Sequence, residues 1–199
     1  MKHLFKAIVA SVAALILSMG VASPASAAVI QGTQGSDDLT GTPGGDTIWG
    51  FAGQDYLRGH AGDDALYAGA DSDAAYGNLG NDYLHGGRGV DFLRGQNDHD
   101  TVEGGRGDDT GYGGPGNDTL YGGRSDDGIY GGKGKDELTP GPGKDNADGQ
   151  AGSDSFYISP DGESDTIVGG DGVDTAYLDG GELDPLDTYI GVENFATAP

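Results

Sequence analysis

The chain lacks cysteine and contains few basic residues. None of its 199 residues is Cys, which excludes a disulfide framework and thiolate metal sites. Ten Lys and Arg stand against 33 Asp and Glu, so the formal net charge is −23. This charge would repel the phosphates of DNA or RNA, and we expect no nucleic acid partner. The same balance favours cations as partners.

Long apolar runs are also scarce, and the one that exists lies near the N-terminus. Lys2 and Lys6 are followed by an apolar run over residues 7–19 and then by Ala25-Ser26-Ala27. The run is too short to cross a bilayer, and the whole pattern is typical of a cleavable signal peptide rather than a membrane anchor. We therefore predict that residues 1–27 are removed and that the mature protein is secreted and extracellular, with no membrane span. The removal takes two bases and no acids, which leaves a net charge of −25.

Glycine is abundant, with 41 residues in the chain. A chain so rich in Gly and acid usually cannot bury enough apolar surface to offset its conformational entropy. Disorder is therefore expected unless something external neutralises the charge.

A nine-residue repeat organises most of the chain. The motif G-x-x-G-x-D recurs from residue 32, and fourteen units run without a gap over residues 32–157. Ile158 and Ser159 then break the phase, and two further units cover residues 160–177. Residues 28–31 are interpreted as a lead-in strand, 32–177 as the repeat domain and 178–199 as a C-terminal cap, since repeat arrays need end caps.

Position six of the repeat is acidic without exception, although its turn glycines vary. Asp and Gly are common in ordinary turns, but turns also tolerate Asn and Ser, and position six does not. We therefore predict that these carboxylates are metal ligands. The sixteen residues are Asp37, Asp46, Asp55, Asp64, Asp73, Asp82, Asp91, Asp100, Asp109, Asp118, Asp127, Asp136, Asp145, Asp154, Asp165 and Asp174.

Position eight is mostly apolar, with weak members at Ala75, Gly111, Ala147 and Ala176. In a short strand the middle side chain points to one face and its neighbours to the other. Position eight is therefore predicted to face the core, and positions seven and nine to face outward. Tyr112 and Tyr130, both at position nine, are predicted to be neighbours on one outer face.

The pattern resembles the RTX (repeat-in-toxin) repeats, also called hemolysin-type calcium-binding repeats, with the consensus G-G-x-G-x-D-x-U-x, where U is a large apolar residue. The resemblance covers about three quarters of the chain. It implies an all-β fold, a right-handed parallel β-roll (β-solenoid) with six-residue turns that bind calcium and three-residue strands. The best-known RTX toxins and proteases have an uncleaved C-terminal export signal. This chain has a predicted N-terminal one, and their catalytic and pore-forming domains are absent.

Two repeats per coil would place alternate units next to each other at about 4.8 Å. Asp37 and Asp55 would then flank one ion, Asp46 and Asp64 another on the opposite edge, and each internal Asp would serve two ions. Ca²⁺ prefers six to eight oxygen ligands, which carboxylates and carbonyls supply. We expect on the order of ten ions, enough to decide whether the chain is folded.

No catalytic motif accompanies the repeat. The chain contains neither H-E-x-x-H nor G-x-S-x-G, and its four His are scattered. We therefore expect no enzymatic activity and a stand-alone calcium-binding function. The alternatives are a calcium-rigidified adhesin or ligand-binding module, and the detached non-catalytic module of an extracellular enzyme system. A cell-surface or polysaccharide ligand stays open, although position nine is too mixed to form a regular binding row.

Overall fold

Each pair of nonapeptides forms one coil in the computed structural model, which describes residues 26–181 and 183–198. Successive strands alternate between two sheets, and all strand pairs are parallel. Ile48, for example, pairs with Leu66, which lies 18 residues further along the chain. The predicted all-β parallel β-roll is confirmed.

The first sheet contains ten of the strands in the described part of the chain. Its strands in spatial order are β1 (Val29–Gln31), β3 (Thr47–Ala52), β5 (Ala65–Ala70), β7 (Tyr83–Arg88), β9 (Thr101–Arg106), β11 (Thr119–Arg124), β13 (Glu137–Thr139), β15 (Ser155–Ile158), β18 (Thr175–Leu178) and β20 (Asn194–Thr197).

The second sheet lies opposite the first. Its strands in spatial order are β2 (Asp38–Thr40), β4 (Tyr56–Ala61), β6 (Ala74–Leu79), β8 (Phe92–Asn97), β10 (Thr110–Pro115), β12 (Gly128–Gly134), β14 (Asn146–Gly152), β16 (Thr166–Val168) and β19 (Thr188–Ile190). The short β17 (Asp171–Gly172) also pairs with β14, and a 3-10 turn spans Asp179–Gly181.

The nine strands from β3 to β11 are six residues long, twice the length that the family pattern implies. They continue from positions seven to nine into positions one to three of the next unit, as in Tyr83–Arg88. Pairing persists there because glycines of neighbouring coils approach closely, with Gly87 opposite Gly105. The turn to which the family pattern assigns calcium is correspondingly shorter than the expected six residues.

The core consists mainly of position-eight side chains, as predicted, with Ile158 and Leu178 packed against them. Ile48, Leu66, Leu84 and Phe156 are fully buried, and Gly111 is accommodated because Val102 and Ile129 close in on it. Burying one apolar side chain per nonapeptide provides little hydrophobic stabilisation for so long a chain.

The break at Ile158 and Ser159 enlarges one coil from 18 to 20 residues without ending either sheet. Phe156 pairs with Ala176 and Ile158 with Leu178, so the register resumes at once. The C-terminal tail then adds one strand to each sheet, β19 and β20, separated by a turn at Gly191 with φ of 66°.

Some glycines are required by the close approach of successive coils. Gly107 has φ of 115°, and a Cβ there would overlap the carbonyl oxygen of Gly89 on the preceding coil. Gly35 occupies the same repeat position. A Cβ added to Gly35 would have Thr33 Oγ1 as its nearest neighbour, 3.9 Å away. The two positions therefore differ in steric demand despite their equal place in the repeat.

Gly107→Ala should destabilise the roll, whereas Gly35→Ala should be nearly neutral. We expect the free energy of unfolding in saturating calcium to fall by about 2 kcal/mol or more for the first variant, because strain and overlap add. Urea unfolding followed by circular dichroism measures both variants. Equal losses of stability for the two variants would contradict the close approach of Gly107 to Gly89.

Candidate metal centre

The structure brings the sixteen predicted aspartates together in two rows. Each Asp lies just before a strand, so the row before the first-sheet strands and the row before the second-sheet strands run along opposite edges of the roll. The first-sheet row consists of Asp46, Asp64, Asp82, Asp100, Asp118, Asp136, Asp154 and Asp174. The second-sheet row consists of Asp37, Asp55, Asp73, Asp91, Asp109, Asp127, Asp145 and Asp165.

A continuous hydrogen-bond ladder fixes one oxygen of each carboxylate. The backbone N–H of Asp73 donates to Asp91 Oδ1 at 2.9 Å, and the N–H of Asp91 donates to Asp109 Oδ1 at 2.8 Å. The same contact recurs between successive members of both rows, including across the enlarged coil, where Asp145 N–H donates to Asp165 Oδ1 at 2.9 Å. Oδ1 therefore has a structural role in joining neighbouring coils.

The second carboxylate oxygen has no protein partner along most of both rows. A buried carboxylate oxygen without a hydrogen bond is costly, and stacked carboxylates also repel each other. These orphaned atoms are the Oδ2 of Asp55, Asp64, Asp73, Asp82, Asp91, Asp100, Asp109, Asp118, Asp127, Asp136, Asp145, Asp154 and Asp174. Cations bound along the two rows would give all thirteen oxygens a partner.

Backbone carbonyls lie beside these orphaned oxygens. A Cβ built on Gly86, at position one, would lie 2.5 Å from Asp91 Oδ2 and 2.6 Å from the carbonyl oxygen of Gly104 on the next coil. The absence of a side chain at position one therefore leaves a small space that a carboxylate and a carbonyl both face. Carboxylate and carbonyl oxygens are the ligands that Ca²⁺ prefers.

The carboxylates form rows rather than clusters. Among the described residues, no group of three or more acidic or His side chains converges on one point. Side chains alone therefore cannot complete a calcium shell, and an ion bound beside the rows would need backbone carbonyls such as that of Gly104 as further ligands.

Burial shifts the titration of the aspartates strongly. Desolvation, opposed by the hydrogen bond from the preceding Asp N–H and reinforced by neighbouring carboxylates, raises the pKa of Asp91 to about 7 and that of Asp100 to about 8. Desolvation likewise raises the pKa of Asp109 to about 6, again opposed by the N–H of Asp91. Without a cation, the interior of each row therefore resists full ionisation at neutral pH.

Asp37 and Asp46, the first aspartates of the two rows, differ from most of the others because threonines donate hydrogen bonds to their Oδ2 atoms. Thr33 N–H donates to Asp37 Oδ2 at 2.6 Å, and the Thr33 hydroxyl donates to the same oxygen at 2.9 Å. Thr42 makes the equivalent contacts with Asp46 Oδ2 through its N–H and its hydroxyl. The N-terminal end of each row is thus capped by hydrogen bonds.

Two acids outside the repeat extend the rows at the C-terminal end. Asp165 N–H donates to Asp187 Oδ1 at 3.0 Å, and Asp174 N–H donates to Glu193 Oε2 at 2.8 Å. The nonapeptide spacing did not identify them, because they lie 22 and 19 residues beyond their partners instead of 18. Their position just before β19 and β20 is the signal that would have found them.

The Asp91→Asn variant can keep the hydrogen bond that Asp91 accepts while it removes the negative charge. The amide oxygen can still accept from Asp73 N–H, but a neutral amide replaces the orphaned Oδ2. If Oδ2 is a calcium ligand, the free energy of unfolding in saturating calcium should fall by about 1 kcal/mol or more, the contribution of one site, and the calcium concentration at the folding midpoint should rise. Calorimetric and circular dichroism titrations measure the shift.

Asp171→Asn is the matched control, since it removes the same charge from an exposed side chain. Asp37→Asn should have a smaller effect than Asp91→Asn, because Thr33 already satisfies Asp37 Oδ2. Equal midpoints for the Asp91 and Asp171 variants would show that Oδ2 of Asp91 does not bind calcium.

Acid should favour the roll when calcium is absent. The raised pKa values of Asp91 and Asp100, about 7 and 8 against an ordinary 3.8, mean that the folded chain binds more protons than the unfolded chain. This contribution is fully present below 3.8 and is lost as the pH rises through the folded-state values. In chelator, circular dichroism should therefore show more β-structure at about pH 5 than at about pH 8. A chelated sample with less β-structure in acid would contradict this.

Comparison with known protein families matches the chain to the RTX calcium-binding nonapeptide repeat, over residues 31–66, 52–75, 67–102, 76–111, 103–138 and 161–182. No curated protein matches the chain significantly.

Proposed function

Because the chain belongs to the family of RTX calcium-binding nonapeptide repeats, we propose that it is a secreted, non-enzymatic protein whose folding is coupled to the binding of on the order of ten Ca²⁺ ions. Calcium binding follows from the family. The observation that supports multiple ions is the pair of rows with thirteen buried, partnerless Oδ2 atoms. Two carboxylate rows run the length of the roll, so successive sites would share ligands.

The protein's own groups have separate roles in this scheme. Oδ1 of each Asp holds the preceding coil through a backbone N–H, which aims Oδ2 at the space beside the position-one glycine. The position-one carbonyl of the next coil faces the same space. Calcium would supply the positive charge that offsets carboxylate repulsion there. Asp91 and its equivalents, with carbonyls such as that of Gly104, would hold the ion.

The magnitudes support coupled folding. Extracellular calcium modules bind with a Kd of about 10⁻⁴ to 10⁻³ M, and at several-fold higher calcium each site contributes about 1 kcal/mol. About ten sites therefore contribute about 10 kcal/mol, which is comparable with the net stability of a whole domain. A core one side chain wide does not supply that stability alone.

Calcium should convert the mature protein from an open chain to the β-roll in one cooperative transition. Far-UV circular dichroism during a calcium titration measures it, with magnesium as the matched control. Magnesium should substitute poorly, because it demands a smaller octahedral shell and dehydrates reluctantly. Full β-structure in excess chelator at neutral pH, or equal potency of the two ions, would refute the proposal.

A calcium-rigidified adhesin or ligand-binding module is the second candidate function. Aromatic side chains stack across the outer faces, as between Trp49 and Tyr67, with ring centroids 4.0 Å apart, and between Tyr112 and Tyr130 at 4.8 Å. The predicted proximity of Tyr112 and Tyr130 is thus confirmed. On the second sheet, Arg58 and Arg94 lie over the rings of Tyr56 and Tyr112 and interrupt the aromatic surface. Cross-strand stacking of this kind also stabilises sheets without any ligand.

Secretion is supported by the place where the roll begins. Residues 1–25, which contain most of the predicted signal peptide, lie outside the described residues. Ala28 occupies the place of a position-six residue in the first coil, since its N–H donates to Asp46 Oδ1 at 2.6 Å and its carbonyl accepts from Thr47 N–H at 2.8 Å. In the described part of the chain, no helix is long and apolar enough to cross a membrane.

Secreted protein should begin at Ala28. Cleavage after Ala27 would leave the first ladder residue as the N-terminus. Intact-mass measurement of the secreted protein tests this, and retention of Met1 would contradict it.

A further inference from the structure

A shallow groove of about 670 Å³ runs along the first sheet, parallel to the axis of the roll. Its floor is a column of position-two glycines, Gly69, Gly87 and Gly105, whose missing side chains create the depression. One wall is a column of arginines at position three. They are Arg88, Arg106 and Arg124.

The three arginines are in strict register. Arg88 pairs with Arg106 across β7 and β9, and Arg106 pairs with Arg124 across β9 and β11. Neighbouring strands lie about 4.8 Å apart, so three exposed guanidinium groups follow one another along the groove. Such closely spaced like charges repel each other.

In the described part of the chain, no acidic side chain forms an ion pair with the arginines of this column. Within the described part of the chain, the ion pairs are Arg58–Asp38 and His85–Glu103, and neither contains an arginine of the column. Three of the five Arg in a chain with net charge −23 are thus gathered in one row without a carboxylate partner. The fold needs the glycines of the floor, but it does not need arginines beside them.

We propose that the groove binds a linear acidic polysaccharide that carries carboxylate or sulfate groups along its length. The planar guanidinium group donates two parallel hydrogen bonds to such oxyanions, which gives geometric selectivity as well as attraction. A column of equal charges at equal intervals suits a ligand with repeated anionic groups better than a small ion. Phe51, 41% exposed at the N-terminal end of the groove, offers an apolar surface for a sugar ring.

The groove fits a nucleic acid poorly. Grooves for single-stranded nucleic acid combine positive charge with a row of aromatic side chains on which the bases stack. Here the floor beside Arg88, Arg106 and Arg124 is glycine backbone, and of the described lining residues only Phe51 and His85 carry rings.

The groove depends on calcium if the proposed function is right, and to that extent the inference rests on it. The arginines are 18 residues apart in sequence, so only the coiled state places them side by side. Each bound Ca²⁺ also reduces the net negative charge that would repel an anionic polymer. Polysaccharide binding should therefore arise at the calcium concentration that folds the roll.

The test compares Arg88→Gln/Arg106→Gln/Arg124→Gln with Lys133→Gln/Lys135→Gln/Lys144→Gln, which removes the same charge outside the groove. Polygalacturonate and dextran sulfate are titrated into the mature protein in saturating calcium, with neutral dextran and single-stranded DNA as comparison ligands. We expect the arginine variant to lose at least about tenfold in affinity, because exposed ion pairs each contribute a few-fold. The lysine variant should bind like wild type, and Arg106→Gln alone should show a partial loss.

Several outcomes would overturn the inference. Equal binding by the arginine variant and wild type would mean that calcium ions bridge the polymer to aspartates instead. Absence of binding to both acidic polymers, or tighter binding of DNA through the arginines, would also contradict it. Circular dichroism of the same samples separates the two proposals. Normal calcium-induced folding without polysaccharide binding refutes only the groove, whereas a roll that forms without calcium at neutral pH refutes the proposed function.

Discussion

The stability of the roll depends on how the free-energy cost of burying stacked carboxylates is offset. Each coil places one Asp of each row directly beside the Asp of the next coil, with Oδ1 committed to a backbone N–H and Oδ2 left without a protein partner. Coulombic repulsion and desolvation both act against this arrangement. The raised pKa values along the rows, as at Asp91 and Asp100, are consequences of the same cost. In the proposed function, a cation beside Oδ2 would convert this destabilising feature into a connection between coils.

Other features of the roll follow from the need to keep coils close. Glycine at position one leaves the space that Asp Oδ2 and a carbonyl share, and glycine at positions such as Gly107 allows successive turns to approach. The apolar line at position eight is thin, so it sets the inward face without providing most of the stability. At the N-terminal end of the two rows, Thr33 and Thr42 donate hydrogen bonds to the Oδ2 atoms of Asp37 and Asp46.

The architecture was predicted from the resemblance to the RTX repeats, and the two rows were predicted from the nine-residue period with two units per coil. A side-chain period of two within each strand placed position eight inside, and two units per coil placed Asp91 beside Asp109, as the structure shows. The length of the strands was not predicted, because pairing of Gly87 with Gly105 depends on how closely coils approach. The distance between coils is set by tertiary packing, which the period of the sequence does not specify.

The ends of the rows and the arginine column also escaped prediction. Asp187 and Glu193 lie outside the nine-residue phase, so only the strand register connects them with Asp165 and Asp174. The arginines recur at 18-residue intervals, but three-residue strands were expected to end at position nine, so an exposed strand residue at position three was not predicted.

The most direct test of the account is a crystal structure of the mature protein grown in calcium, with anomalous scattering used to locate the ions. The account predicts anomalous peaks in two lines along the roll, each within calcium-ligand distance, about 2.3–2.6 Å, of an Asp Oδ2 and a backbone carbonyl. Peaks absent from both rows in a folded roll, or confined to exposed acids such as Asp171, would contradict it.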